Sequence, residues 1–313
     1  MNKNIKICFM GTPHFGVNVL KRLIEEYTVS LVITKRDTLT KKGKLIESDV
    51  KVFSRDNNLN CIQPEDVNAE EVVDLIKSLD IDFIVTASFG EFLKLDILHS
   101  SKFGVLNVHG SMLPKYRGAA PIQRAIENGD EYLGVSIMKT ILKMDAGYIY
   151  SQEEIKLEET DNTETMMEKL SILGANLIVP VIDKLYNNEP IEVIHQEKDK
   201  VTFSHMIEPS ESIIDFNDSA TNIFNKIRAF YPDPSAYFIK DNVIYKIFDS
   251  RVVIDNSDKE PGTVIDNNKA LIIKCGKDSI SIKDIQPASK NRMDIKSFLN
   301  GRRDLFTIGS IIK

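Results

Sequence analysis

Cysteine is scarce. Cys8, Cys61 and Cys275 are the only three in 313 residues, an odd number with no Cys-x-x-Cys pair, which argues against a disulfide framework or a structural thiolate zinc site. No His-Glu-x-x-His or other ligand spacing occurs, so no metal is expected. Nowhere do about 18 apolar residues follow one another, and Met1-Asn2-Lys3-Asn4 leads into only a short apolar run. Neither a membrane span nor a signal peptide is therefore expected, and the expected location is the cytoplasm. The nucleotide fingerprints are missing as well: Gly11 and Gly16 do not make Gly-x-Gly-x-x-Gly, and no Gly-Lys-Ser/Thr follows them, which removes NAD and ATP from the expected ligands. Positive charge is not in excess. A formal net charge of −6 argues against a generally basic nucleic-acid binder while leaving room for a local basic patch.

What is present is an ordinary soluble composition, 42% hydrophobic and 27% charged, over a length sufficient for two separate cores. Ile5 to Met10 reads as a strand that breaks at Gly11-Thr12-Pro13, and Phe15, Val19, Leu20, Leu23 and Ile24 follow at helical spacing. Val29 to Ile33 is a second strand, and the βαβ rhythm implies a mostly parallel, Rossmann-like sheet. The alternation continues through a helix over 50–57, Cys61-Ile62, a helix over 70–79, and Phe83 to Ala87 as a central strand. The aromatic residues in the loop after Ala87 either flank a flat ligand or pack the next helix, and composition does not choose.

Val105 to His109 is the strand that matters most. Asn107 and His109 are two apart, so they share one face while Leu106 and Val108 take the other. Polar side chains at the carboxyl end of such a strand mark the crevice where open α/β sheets bind ligands. A lone histidine there is more often a satisfied buried side chain, and it is the company of His109 that argues for a site. The turn Leu113 to Pro121 follows, with Lys115 and Arg117 expected to be exposed, and a helix over 119–127 has Pro121 in its first turn. Two further β-like runs, 134–139 and 147–150, are joined by a mostly apolar segment that ends at Asp145. A long amphipathic helix spans 163–187.

Two basic segments stand out. Thr34 to Lys44 carries one acid, Asp37, among Lys35, Arg36, Lys41, Lys42 and Lys44, and shows no core-forming pattern; it reads as solvated loop or as a phosphate-contacting arm. Lys290, Arg292, Lys296, Arg302 and Arg303 cluster near the last helix. Polar residues after 187 mark a boundary, giving a first domain over 1–189, a linker over 190–208 and a second domain over 209–313. The second contains a helix over 220–230 and short, closely spaced strands that suggest a small OB-like barrel.

Four stretches, Phe9-Met10-Gly11-Thr12-Pro13, Asn107 to Gln123, Met144-Asp145-Ala146-Gly147 and Leu299-Asn300-Gly301-Arg302-Arg303, together closely resemble the methionyl-tRNA formyltransferases, end to end. Asn-x-His, the Leu-Pro-x-x-Arg-Gly turn and a downstream Asp are common to formyltransferases that use 10-formyltetrahydrofolate; the full Arg117-Gly-Ala-Ala-Pro-Ile-Gln123 run points to those acting on tRNA. The resemblance implies formyl transfer from that folate co-substrate to methionyl initiator tRNA by a monomer, without a metal. It implies folate contacts at Phe89, Gly90, Leu93, Ser111, Leu113, Pro114 and Ile141, between the 83–93 and 141–145 regions. It implies tRNA contacts at Arg36, Lys41, Lys42, Lys44, Arg117, Arg302 and Arg303.

The residue chemistry agrees. Transfer of a formyl group between nitrogens passes through a tetrahedral oxyanion that needs preorganised donors, a role suited to Asn107 and protonated His109. The attacking amine must lose a proton and the leaving nitrogen must gain one, which suits an imidazole with a carboxylate partner, Asp145. The basic loop departs from the family: Arg36-Asp37-Thr38-Leu39 and Lys41-Lys42-Gly43-Lys44 stand where Pro-Asp-Arg-Pro and Gly-Arg-Gly-Lys are usual. Its charge is kept but its rigidity and planar guanidinium forks are not, and Lys42 is the expected principal contact. The alternatives are a formyltransferase acting on a small amine, a formylfolate hydrolase and a non-catalytic RNA-binding module.

Overall fold

The computed structural model describes residues 2–40 and 43–312, which form two compact units. The first comprises Met1–Pro121, Tyr132–Lys156 and Met167–His205, and the second Ile122–Glu131, Leu157–Met166 and Met206–Lys313.

Seven strands build the sheet of the first unit, in the spatial order Ile149–Lys156, Tyr132–Lys139, Val105–His109, Phe83–Ala87, Lys6–Gly11, Thr28–Ile33, Cys61–Ile62. The five from Val105–His109 to Cys61–Ile62 run parallel. Their near-continuous apolar sequences are what burial on both faces demands, and Ile7 to Met10, Leu31 to Ile33 and Phe83 to Val85 have no exposed surface. The helix Glu70–Ser78 lays Val72, Val73 and Ile76 against Cys8, Met10, Leu31, Ile33 and Ile84. The chain leaves the central strand Lys6–Gly11 in one direction, returns to its other side at Phe83–Ala87, and so creates a topological switch point beside Gly11 and Ala87.

Tyr132–Lys139 runs antiparallel to Val105–His109, with His109 opposite Ser136 and Lys139 opposite Leu106. The loop that follows Lys139 therefore starts beside Leu106, not beyond His109. The helix Thr163–Tyr186 is long and apolar enough by length and composition to cross a membrane. Here Leu170, Ala175, Ile178, Val181 and Ile182 are buried. Gly174 brings the helix against the strand Val105–His109 so closely that a Cβ would lie 2.4 Å from Val108 Cγ1.

Two segments carry more structure than their composition suggests. The basic segment holds a short hairpin, Thr38–Leu39 pairing with Leu45–Ile46. Its Leu39, Leu45 and Ile46 side chains are exposed, so no core pattern was there to be read. The stretch expected to be a linker is also structured: Ile194 bridges to Ile149, and Phe203–Ser204 forms a parallel pair with Arg117–Gly118.

The second unit is strand-rich. Its antiparallel sheet runs Tyr237–Lys240, Val243–Val253, Ser279–Pro287, Leu271–Lys274, Val264–Asp266, with Met293–Asp294 added beside Ser279–Pro287. Val243–Val253 outruns its apolar stretch because the polar residues Asp249, Ser250 and Arg251 are carried across register shifts at Ile247/Asp249 and Asp249/Ser250, where a bulged strand bends. The helix Ala220–Ala229 packs Ile223 and Ile227 into a core centred on Phe238, Tyr245, Phe298 and Phe306.

Candidate active site

Asn107 lies opposite Thr86 on the neighbouring strand, and the Thr86 hydroxyl donates to Asn107 Oδ1 at 2.9 Å. With its oxygen held, the amide is fixed in one orientation, and among the described residues no protein acceptor takes the Nδ2 hydrogens. A half-buried donor group is thus aimed and unspent.

His109 is buried, 6% exposed. Its Nε2 lies 3.0 Å from the Tyr116 carbonyl oxygen, which can only accept, so Nε2 carries a proton. Ser204 donates its hydroxyl to the same carbonyl at 3.1 Å. Tyr116 presents this oxygen from a left-handed backbone conformation, φ 59°, with its own N–H bonded to Thr202 Oγ1 at 2.9 Å. The other ring nitrogen, Nδ1, faces Asp145 Oδ2 at 3.8 Å, close enough for charges to interact and too far for a direct hydrogen bond.

Asp145 sits at φ 47°, a conformation that short polar side chains tolerate. Its Oδ2 accepts the Gly118 N–H at 2.8 Å. Its carbonyl accepts from Gln196 Nε2 at 2.8 Å, and the same nitrogen donates to the Gly147 carbonyl at 2.8 Å. Gly147 presses on the sheet, where a Cβ would stand 1.8 Å from Lys139 O, so this position excludes any side chain. Gln196 Oε1 accepts from Arg117 Nε and Nη2 at 3.0 and 2.7 Å. Burial pushes the Arg117 guanidinium below its ordinary pKa, and the nearby Asp145 charge opposes that shift. Below the site, Ser136 donates to Ser111 O at 2.6 Å and accepts from Leu113 N at 3.1 Å, while Gln152 donates to Ser136 Oγ and Leu113 O.

The structure brings Asn107, His109 and Asp145 together. Among the residues expected to meet folate, Gly90 and Ile141 are exposed, and Pro114 is half-buried. Phe89 and Leu93 instead pack into the core around Val72 and Ile97, Leu113 packs with Met138 and Ile149, and Ser111 donates to Lys115 O. The choice left open for the loop after Ala87 falls to packing for Phe89, while Phe92 is 57% exposed. Arg117 corrects an expectation. Placed in an exposed turn beside Lys115, it is in fact 5% exposed and turned inward to Gln196, so its guanidinium is not offered to a polyanion.

Arg36 pairs with Glu65 at 3.5 Å and borders a cleft of about 570 Å³ lined also by Gln63, Asp66, Glu71 and Val72. Lys44 is exposed next to the hairpin, and Lys41 and Lys42 lie outside the described residues. In the second unit Arg302 lies over the Phe298 ring at 5.8 Å and Arg303 donates to Asn268 O at 3.2 Å. Thr86, Tyr116, Gln196, Thr202 and Ser204 are the site residues that sequence reasoning did not single out, and Gly118 entered it only as the last residue of the Leu-Pro-x-x-Arg-Gly turn. Only Thr86, a polar interruption in an apolar strand, left a local signal.

The formyl transferase family matches residues 3–182, and the C-terminal domain of formyl transferases matches residues 206–303. A protein of Lactobacillus acidophilus named methionyl-tRNA formyltransferase is 38% identical over 98% of this chain and 98% of its own length. One of the same name from Staphylococcus aureus is 39% identical over 96% of this chain and 97% of its own. Among solved structures, a sugar 3N-formyl transferase crystallised with dTDP and 5-N-formyl-THF shares the fold with a TM-score of 0.66 at 21% identity, covering 92% of this chain and 99% of the other. A methionyl-tRNA formyltransferase from Clostridium thermocellum does so with a TM-score of 0.53 at 17% identity, covering 79% of this chain and 93% of the other. By these matches in both parts and over nearly its whole length, the chain belongs to the formyltransferase family, among the methionyl-tRNA formyltransferases.

Proposed function

We propose that the protein transfers the formyl group of 10-formyltetrahydrofolate to the free amino group of methionyl initiator tRNA, acting in the cytoplasm as a monomer. The observation that carries this reading is the convergence of Asn107, His109 and Asp145 in a chain that matches methionyl-tRNA formyltransferases from end to end.

Asn107 Nδ2, its amide oriented by Thr86, is the donor for the oxyanion that develops when the amine attacks the formyl carbon. The proton on His109 Nε2 is held by the Tyr116 carbonyl, so the ring is not assigned the oxyanion-donor role expected from the sequence, and Nδ1, facing Asp145, is the ring atom that takes and returns a proton. The carboxylate of Asp145 stabilises the imidazolium so formed. The amine loses one proton, the folate nitrogen leaves with one, and the site is restored. Folate contacts are assigned to the exposed Gly90 and Ile141, to Pro114, and to backbone groups of Phe89, Leu93, Ser111 and Leu113. Contacts to tRNA are assigned to Arg36, Lys41, Lys42 and Lys44 and to Arg302 and Arg303, with a catalytic domain that takes in 190–205, part of the stretch expected to be a linker, and with 209–313 as a tRNA-binding, OB-like domain.

Formyl transfer assayed with charged initiator and charged elongator tRNA tests the reading, the expected result being rapid formylation of the initiator. Turnover of a small amine with no tRNA binding at low salt would overturn it, as would formate release at the same rate with and without acceptor.

A further inference from the structure

Gln196 lies in a polar stretch far along the chain from the catalytic residues, yet it spends its whole side-chain amide on the site. Its oxygen takes two donors from the buried Arg117, at 3.0 and 2.7 Å, and its nitrogen gives both hydrogens to the carbonyls of Asp145 and Gly147, each at 2.8 Å. Few side chains could do this. The arrangement needs an acceptor at one position of a planar group and two donors at the other, which among neutral side chains is the property of a primary amide.

The consequence concerns Asp145. Its backbone is left-handed, a conformation that Asp tolerates at some cost and that contacts here hold in place. Three constraints do so: the Gly118 N–H on the carboxylate, the contact of Gly147 with Lys139, and the Gln196 bond to Asp145's own carbonyl. The first ties the Asp145 side chain to the loop bearing Arg117 through Gly118, and the last ties the backbone of the 145–147 turn to Arg117 itself. Gln196 thus closes a ring of contacts from Arg117 through Gly118 and Asp145 back to itself. We propose that Gln196 is a positioning residue for the formyl transfer, setting the Asp145 carboxylate at its working distance from His109. The inference rests on the reading of the site given above.

A double-mutant cycle on the rate constant of formyl transfer tests it. Gln196→Ala is expected to lower kcat by roughly ten- to a hundred-fold, the usual cost of a misplaced catalytic group, with the KM for charged initiator tRNA little changed. In an Asp145→Asn background the same change should cost less than about two-fold, because the carboxylate it positions is already gone. Gln196→Glu separates positioning from simple anchorage. It keeps an acceptor for Arg117 and loses both donors to the turn, so kcat should stay low although the protein folds with a Tm near wild type.

Equal losses in the two backgrounds, or restoration of kcat by Gln196→Glu, would overturn the proposal. A wild-type protein that formylates no charged tRNA would instead overturn the reading on which it rests, and the proposal with it.

Discussion

Asp145 Oδ2 stands 2.8 Å from the Gly118 amide nitrogen and 3.8 Å from His109 Nδ1, so the carboxylate facing the imidazole is anchored by backbone and not by the imidazole itself. A carboxylate held this way keeps its place whether the histidine carries one proton or two. Replacing it should therefore alter chemistry more than structure.

On that basis Asp145→Asn and His109→Ala should each lower the single-turnover rate of formyl transfer by about two to four powers of ten while tRNA binding stays nearly intact. Rapid-quench formylation together with a gel-shift titration checks both halves. Unchanged turnover in either variant would falsify the assignment.

Thr86→Val removes the hydroxyl that fixes the Asn107 amide and little else, since the two side chains have similar volume. A drop in kcat of about three- to ten-fold is expected, corresponding to the loss of one ordinary hydrogen bond. Thr86→Ser should recover most of it. A full-rate Thr86→Val enzyme would mean that the amide is oriented by something else.

The pH dependence of stability has a defined contributor in the second unit. Arg124 grips Glu211 through two parallel bonds of 2.8 and 2.9 Å, and this pairing brings the carboxyl from its ordinary 4.5 down to about 2. A carboxyl whose folded value lies below its unfolded value stabilises the fold above the unfolded value, and that stability is lost as the pH falls toward the folded value. Glu211→Gln should thus be less stable than wild type at neutral pH by about 1 kcal/mol, a modest figure because the pair is partly solvated. The difference should close as the pH is lowered from about 4.5 to about 2. Urea unfolding at several pH values measures it, and a gap independent of pH would count against the pairing as its cause.

For the basic segment the expectation concerns salt. Lys42→Ala should weaken tRNA binding and reduce the slope of log affinity against log salt by about one, the value for one lost phosphate contact. Arg117→Ala, by contrast, should leave that slope unchanged, because its guanidinium is turned inward. Titrations at three or more salt concentrations distinguish the two.

Legibility in the sequence followed the range of the forces involved. The parallel strands could be read because burial on both faces writes itself as an unbroken apolar run, and Asn107 and His109 could be read because they break such a run at its carboxyl end. Val105 to His109 was expected and found with the same limits. What held those residues could not be read: the Tyr116 carbonyl, the Gly118 N–H and the Gln196 amide act through backbone groups or from a distant stretch, where no periodicity marks them. Arg117 misled for a related reason. Charge in a Gly- and Pro-rich turn ordinarily means exposure, and only a partner 79 residues away reverses that.

The pairing of Phe203–Ser204 with Arg117–Gly118 sets a lower limit on any working fragment. A chain cut after residue 189 would retain Asn107, His109 and Asp145, yet it would lack Gln196, Thr202 and Ser204. Its inventory of reactive groups would be complete and its geometry would not. For anyone dissecting the protein by truncation or building chimaeras from it, no catalytic cassette can end before about residue 205, where the last segment of the first compact unit ends.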